Sequence, residues 1–246
     1  MNLVLFEPAE VTPGGLVTIG DARATHLLRV LTVTAGDTVR VGIVDGGIGV
    51  GTVTAVGDGR VTLQCAIGAL PPRPPVDLLL ALPRPKVMRR LWAQLSALGV
   101  ARIMLTNAER VERNYFDTHV LEPECYRPLL IEGLQQARDT RIPAVTIHRQ
   151  FRKLVEDELA ALSDAPARLV AHPDATTTMR EALAARGEHV LLAVGPEGGW
   201  NDFELRLLDA HAFQRVSMGS RTLRSDTACV ALMALLHEAI RATPGS

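Results

Sequence analysis

Two short stretches of this chain carry residues that could do chemistry. The first is Gly195-Pro196-Glu197-Gly198-Gly199, three glycines and a proline around one carboxylate. It follows the apolar run HVLLAV and leads into Trp200-Asn201-Asp202-Phe203-Glu204. Asn201 and Glu204 have the spacing of a capping box, so the pattern reads strand, glycine-rich turn, helix. Glycine lets a ligand approach the backbone closely, and open α/β sheets bind ligands at the carboxyl ends of their strands. A tight turn without a ligand is the plain alternative. A phosphate cradle is disfavoured: no Gly-Lys-Ser/Thr follows the glycines, Gly-x-Gly-x-x-Gly is absent, and Glu197 would repel phosphate. A neutral or cationic ligand fits better.

The second stretch runs from Ser217 to Leu232 and includes Met218, Gly219, Arg221, Leu223, Arg224, Ser225 and Asp226. A strand is expected to end at Met218, Gly219 to turn, and Ser225 to cap a helix with Asp226 and Thr227 in its first turn. Arg221 and Arg224 flank that helix start, a place that already favours anions. They either hold an acidic substrate or pair with Glu197 and Asp226 as structure.

The elements that must position these loops follow from the hydrophobic pattern. Residues 1–68 read as β: LVTI, DTVRVGIV, GVGTVTAV and RVTLQCAI are short, rich in Val and Thr, and separated by glycine turns, the pattern of a small barrel. One helix, DARATHLLRVL, interrupts them. The proline-rich GALPPRPPVD, residues 68–77, is a stiff spacer and the expected boundary between a domain 1–70 and a domain 76–246. Beyond it, apolar runs (VDLLLAL, ARIML, AVTIH, ARLVAH, HVLLAVG, FQRVSM) alternate with helical stretches, which predicts α/β architecture with a parallel sheet covered on both faces. In the stretch 85–99, Val87, Met88, Leu91, Trp92, Leu95 and Leu98 share one helical face, Pro85 suits the first turn and Gly99 the stop. The helix 225–242 is apolar all round, which predicts deep burial or a subunit interface.

Bulk composition bounds the function less sharply. The 246 residues are 47% hydrophobic and 22% charged with a net charge of −1, an ordinary globular balance with no global field for nucleic acid. Residues 84–152, however, hold twelve Lys plus Arg against seven acids, so the middle third is where a polyanion would bind, unless those charges only solvate a helix face. Cys65, Cys125 and Cys229 lie far apart, which suggests neither a metal site nor a disulfide framework. MNLVLFEPAE lacks a basic region and a long apolar run, so no signal peptide is expected, nor is any membrane span; the default is a cytoplasmic setting.

Together the two loops resemble the bacterial 16S ribosomal RNA (uracil-N3)-methyltransferases of the SPOUT superfamily. That family's pattern is a Gly-Pro-Glu-Gly-Gly loop, some twenty residues, then Leu-Gly-x-x-x-Leu-Arg-Thr-Glu-Thr-Ala. Here the second part reads Met218-Gly219-Ser220-Arg221-Thr222-Leu223-Arg224-Ser225-Asp226-Thr227-Ala228. Weaker likeness runs along the chain, in HLLRVLTVTAGDTV, ALGVARIMLTNAER and LQQARDTRIPAV. The departures are Thr32 for a barrel arginine, Ala97 for a glutamate, and Gln135 and Asp139 for a glutamate and an arginine, on the RNA-facing side of the pattern, with Ser225 and Asp226 as gentler swaps for a threonine and a glutamate in the second loop.

The resemblance implies an N-terminal PUA-like β-barrel and a C-terminal α/β SPOUT domain with a trefoil knot, an obligate homodimer, and no metal. It implies S-adenosylmethionine as methyl donor, held by His172, Gly195, Glu197, Gly198, Gly199, Met218, Gly219 and Leu223. His172 precedes a proline at a strand end and is also readable as a surface turn. Arg224 is the catalytic candidate, because a permanent cation can stabilise charge on the uracil carbonyls. Glu197 or Asp226 could take the ring proton. His26, Arg29, Lys86, Arg89, Arg110 and Arg138 are the candidates for contact with ribosomal RNA or the small ribosomal subunit. The competing readings are a methyltransferase of the same fold acting on another RNA, an RNA-binding protein without catalysis, and a phosphate-ligand enzyme.

Overall fold

The structure, a computed structural model, describes residues 2–184, 189–221 and 223–242. The chain divides into two compact units, Met1–Arg73 with Leu130–Ile142, and Pro74–Leu129 with Pro143–Ser246.

In the first unit the strands β1 (Val4–Phe6), β2 (Leu16–Ile19), β3 (Thr38–Ile43), β4 (Ile48–Gly57) and β5 (Arg60–Ile67) form one curled sheet in the order β1-β3-β4-β5-β2. β1 runs parallel to β3, and the remaining pairs are antiparallel. Alternation sets the faces: Val17 and Ile19 of β2 and Val61, Leu63 and Cys65 of β5 point into a core with Val4, Phe6, Val41 and Val53. Asp58 and Gly59, both with positive φ, make the two-residue turn that joins β4 to β5. Helix α1 (Ala22–Arg29) is capped by Asp21, which accepts from the Arg23 amide, and it closes the core with Ala24 and Leu27. The Arg23 guanidinium binds Glu10 at 2.5 Å and Asp21 at 2.6 Å, and its hydrogen bonds hold both carboxyls below the usual range. Three residues are too few to show alternation, so β1 is not apparent in the sequence.

Residues 130–142 join this unit through a second cluster in which Leu134 packs against Leu3, Leu5 and Val44. The Thr140 hydroxyl donates to the Gly46 carbonyl at 2.6 Å, and the Ile142 amide donates to the Asp45 carboxylate at 3.1 Å. Two of the departing positions have local work here. Asp139 accepts from the amides of Thr140 and Arg141, and the Gln135 carbonyl accepts from the Asn2 amide.

In the second unit, β6 (Val76–Ala81), β7 (Val100–Thr106), β8 (Ala144–His148), β9 (Ala167–Ala171), β10 (Val190–Val194) and β11 (Phe213–Val216) form a parallel sheet in the order β11-β9-β10-β6-β7-β8. The central strands β6 and β10 are buried at every position, as expected when helices cover both faces. Helix α2 (Pro85–Ala97) buries Met88, Leu91, Trp92 and Leu95, with Pro85 at its start and Gly99 at φ +75 after its end. The Trp92 indole donates to the Val120 carbonyl at 3.1 Å and stacks on Tyr126 of α3 (Pro123–Ala137). A helical stretch, α4 (Phe151–Lys153), a π turn and α5 (Leu159–Leu162), follows β8, and α6 (Met179–Leu183) follows β9. Asn201 and Glu204 form the expected capping box of α7 (Asp202–Ala210).

Helix α8 (Ser225–Arg241) packs on α2 and α6, and His237 contacts the Leu98 carbonyl at 2.6 Å. Two details correct the sequence reading. The strand expected to reach Met218 ends at Val216. Ser225 does not cap α8 but is its first residue; the cap position is Arg224, whose extended backbone (φ −65°, ψ 152°) starts the helix without a side-chain cap.

At the amino end of β6, Asp77 is fully buried. Its Oδ2 accepts from the Ser163 hydroxyl at 2.8 Å, contacts His189 Nε2 at 3.2 Å and lies 3.8 Å from Arg102. Truncating one member of such a network leaves the others without partners. Asp77→Ala is expected to cost about 3 kcal/mol of stability, within the range for broken buried pairs. A urea titration measures it, and an unchanged midpoint would contradict the assignment.

Candidate functional site

The site lies in the second unit, at the carboxyl ends of three neighbouring strands. Because the sheet order is β11-β9-β10, the loops that leave these strands converge. They contribute Ala171, His172 and Pro173 at the end of β9, Val194 to Trp200 at the end of β10, and Val216, Met218, Gly219, Arg221 and Leu223 at the end of β11. With Ser225, Ala228 and Leu232 of α8 they enclose a cavity of about 290 Å³. The His172 amide donates to the Val216 carbonyl at 2.9 Å, which ties two of these loops together. His172 Nδ1 accepts from the Asp174 amide at 3.2 Å.

The glycine loop is held from two sides. The Gly199 amide donates to the Pro196 carbonyl at 2.8 Å, a turn that needs Gly199 at φ +76. The Arg110 guanidinium donates to the carbonyls of Gly198 and Gly199. A Cβ on Gly198 would come within 2.8 Å of the Arg110 side chain, and one on Gly195 within 3.0 Å of the Trp200 ring. Trp200 itself is buried and packs on Phe151 with ring centroids 5.1 Å apart. Two buried polar atoms on the walls of this cavity have no hydrogen-bond partner, Trp200 Nε1 and Ser225 Oγ. Buried polar groups are normally paired, so these two are exceptions that the protein's own side chains leave unsatisfied. Cys229 behind the wall is chemically inert, since burial pushes its thiol up to about 12.

A second cavity, about 610 Å³, adjoins the first and is lined by Arg84, Lys86, Val87, Arg90, Glu197, Leu223, Arg224 and Asp226. Glu197 and Leu223 line both. Four cations face two carboxylates here. Arg90 binds Asp226 at 2.5 Å and holds its carboxyl below the usual range, and Arg84 Nε lies 3.4 Å from Glu197. Among the described residues the guanidinium of Arg224 and the ammonium of Lys86 have no ion-pair partner. Of the two readings of the second loop's arginines, the pairing with Glu197 and Asp226 is not the one observed: Arg84 and Arg90, not Arg221 and Arg224, meet the two carboxylates.

The structure thus brings His172, Gly195, Glu197, Gly198, Gly199, Met218, Gly219 and Leu223 around one cavity, and Arg224 and Lys86 around its neighbour. Arg89 is exposed on α2 outside both, and Arg110 is engaged with the glycine loop. His26, Arg29 and Arg138 belong to the first unit. The sequence reading missed Arg84, Arg90, Trp200 and the orphaned Ser225 hydroxyl as site features. Arg84 had a signal, since it directly follows the carboxyl end of a buried strand. Among the described residues, no three His, Cys, Asp or Glu side chains cluster as a metal site, and no helix is long and apolar enough to cross a membrane.

Comparison with known proteins agrees with this geometry. The family model described as an RNA methyltransferase domain matches residues 71–237. Ribosomal RNA small subunit methyltransferase E of Treponema pallidum is 33% identical, over 96% of this chain and 90% of that protein. The chain belongs to the ribosomal RNA small subunit methyltransferase E family. The methyltransferase E of Synechocystis is 29% identical over 90% of this chain and 72% of its own length. The fold is shared with the methyltransferase E crystal structure from Neisseria gonorrhoeae, described as bound to S-adenosyl methionine, at a TM-score of 0.76, 97% coverage of both chains and 19% identity.

In this chain, Arg110 holds the glycine loop through the Gly198 and Gly199 carbonyls. Arg110→Ala is expected to speed amide hydrogen exchange over residues 195–200 by about tenfold, corresponding to about 1.4 kcal/mol of lost local stability. The exchange of the β6 and β10 core amides should not change. Equal protection of the loop in both proteins would show that the arginine does not hold it.

Proposed function

We propose that this chain transfers the methyl group of S-adenosylmethionine to N3 of a uridine in small-subunit ribosomal RNA. The observation that carries the reading is the pair of adjoining cavities, one walled by glycine loops with orphaned polar atoms, the other basic, meeting at Glu197 and Leu223.

The first cavity fits the methyl donor. Glycines at 195 and 198 let Trp200 and Arg110 pack against the loop, and the backbone from Gly195 to Gly199 borders the cavity where it can meet the donor's polar atoms. His172, Met218, Gly219 and Leu223 complete the enclosure, and Glu197 faces the cationic centre from the rim. Bound there, the donor supplies an electrophilic methyl group on a sulfonium. The size matches small-molecule sites, which begin near about 300 Å³.

The second cavity receives the uracil. Loss of the N3 proton builds negative charge on the ring carbonyls, and Arg224 stands ready to stabilise it. Being cationic at any working pH, Arg224 cannot serve as the base. Lys86, with Arg89 close by on α2, contacts RNA phosphates, as do Arg29 and Arg138 of the first unit, and His26 adds a polar contact. Arg110 supports RNA binding by holding the loop beside the uracil.

The finer architecture belongs to the same reading. Residues 1–70, with 130–142 packed on them, act as a PUA-like barrel that positions RNA, and the rest of 76–246 as a SPOUT domain with a trefoil knot. The chain works as a homodimer in the cytoplasm. Val230 and Leu235, 36% and 42% exposed on an otherwise apolar α8, support that interface.

Arg224→Ala tests the assignment. Methyl transfer to small-subunit RNA should fall at least a hundredfold, the scale for one charge-stabilising donor at about 10²–10³, while calorimetry shows donor binding unchanged. Nucleoside analysis of small-subunit RNA from a deletion strain should lack one N3-methyluridine. A full complement of that nucleoside, with a mark missing from another RNA, would move the substrate to that RNA.

A further inference from the structure

We propose that Glu197 is the base that accepts the N3 proton of the target uridine, an inference that rests on the methyl-transfer reading above. An imide nitrogen carrying a proton has no free electron pair for the methyl group, so a proton acceptor must stand beside the carbon it attacks. That acceptor has to belong to both cavities, because the proton leaves from the atom that receives the methyl group.

Three candidates can be compared. His172 lines only the first cavity, and its Nδ1 already accepts the Asp174 amide. Asp226 lines only the second, and both its oxygens are engaged, Oδ2 by Arg90 at 2.5 Å and Oδ1 by the Thr227 amide at 3.0 Å. Glu197 lines both, and its side chain is 41% exposed. Its contact with Arg84, 3.4 Å through Oε2, leaves Oε1 open. Its position is fixed by the turn from Pro196 to Gly199 and by Arg110 on the carbonyls that follow. The other charged groups around it are Lys86, Arg90, Arg224 and Asp226 of the second cavity, and the Tyr115 phenol, which feels both Arg84 and Glu197. Tyr115 is no rival, since desolvation and its hydrogen bond to Glu112 raise its pKa.

The step balances simply. The N3–H bond breaks, its proton goes to the Glu197 carboxylate, and its electron pair stays on N3 with charge spread to the carbonyls facing Arg224. N3 uses that pair to bond the methyl carbon, while the pair of the broken carbon–sulfur bond remains on sulfur. The carboxylic acid then returns its proton to water through the exposed rim.

The test uses the full-length protein and a small-subunit RNA fragment containing the uridine that the wild-type protein methylates. Glu197→Gln keeps the shape and removes the basicity. Its single-turnover rate, measured at saturating donor so that a weaker hold on the cationic donor does not enter, should fall by about 10²–10⁴, the contribution of a general base. With 5-fluorouridine at the target, whose N3–H is more acidic, the variant should recover at least tenfold relative to wild type. A merely structural glutamate would give no such rescue. Binding gives a second readout without turnover. Wild-type protein should prefer the uridine fragment over the same fragment with N3-methyluridine, and Glu197→Ala should lose that preference.

A Glu197→Gln rate within threefold of wild type overturns the proposal. An equal loss at saturating donor with uridine and 5-fluorouridine also overturns it and leaves Glu197 with the donor-facing role alone. If wild-type protein methylates no small-subunit RNA, the functional reading itself fails. The two failures are therefore distinguishable.

Discussion

Parallel pairing of β11, β9 and β10 puts three chain exits side by side along one edge of a sheet. In such a sheet every strand presents its last carbonyls at the same edge, and whatever follows must turn there. The strand order is what matters: β9 lies between β10 and β11, although β10 and β11 follow it consecutively in the chain. The loops after these strands therefore face one another across a short gap. Helix α8 fills the open side with small residues, Ser225 and Ala228, so the gap remains a cavity instead of closing into core.

Charge then divides this edge into two environments. The first cavity has one histidine, one exposed arginine, one rim carboxylate and the Ser225 hydroxyl, with backbone and largely apolar side chains elsewhere. The second gathers Arg84, Lys86, Arg90 and Arg224 against two carboxylates. Arg90 neutralises Asp226 by direct contact, whereas the Arg84–Glu197 pair is longer and more exposed. Exposed pairs are worth little in stability, about 0–1 kcal/mol. Their worth here is electrostatic and local. Among the described residues they leave Arg224 and Lys86 without an ion-pair partner, and they leave one Glu197 carboxylate oxygen outside the pair.

Much of this was legible in the sequence, for a reason that differs from residue to residue. Gly199 and Gly99 hold positive φ, and the capping box at Asn201 and Glu204 satisfies helix amides, so these needs are written locally. The central strands could be read because burial on both faces demands unbroken apolar runs. The longest-range facts were not readable. Arg110 meets Gly198 across 88 positions, and nothing in either neighbourhood announces the other. The start of α8 was misjudged by one residue because Ser225 has the chemistry of a cap but lies inside the first turn, where its hydroxyl finds no amide. Strand β1 and the attachment of Leu134 to Leu3 and Leu5 depend on tertiary packing alone.

The attachment of residues 130–142 to the first unit bears on how the chain is made. A ribosome delivers Leu3, Leu5 and Val44 early, yet the residues that cover them, Ile131, Leu134 and Ile142, emerge only after β6, α2 and β7 have been added. At translation rates of about 5–20 residues per second, the small sheet waits several seconds with that apolar side uncovered. The nascent protein thus passes through an interval with that apolar surface open, and the interval ends when the turn at Asp45 and Gly46 receives Thr140.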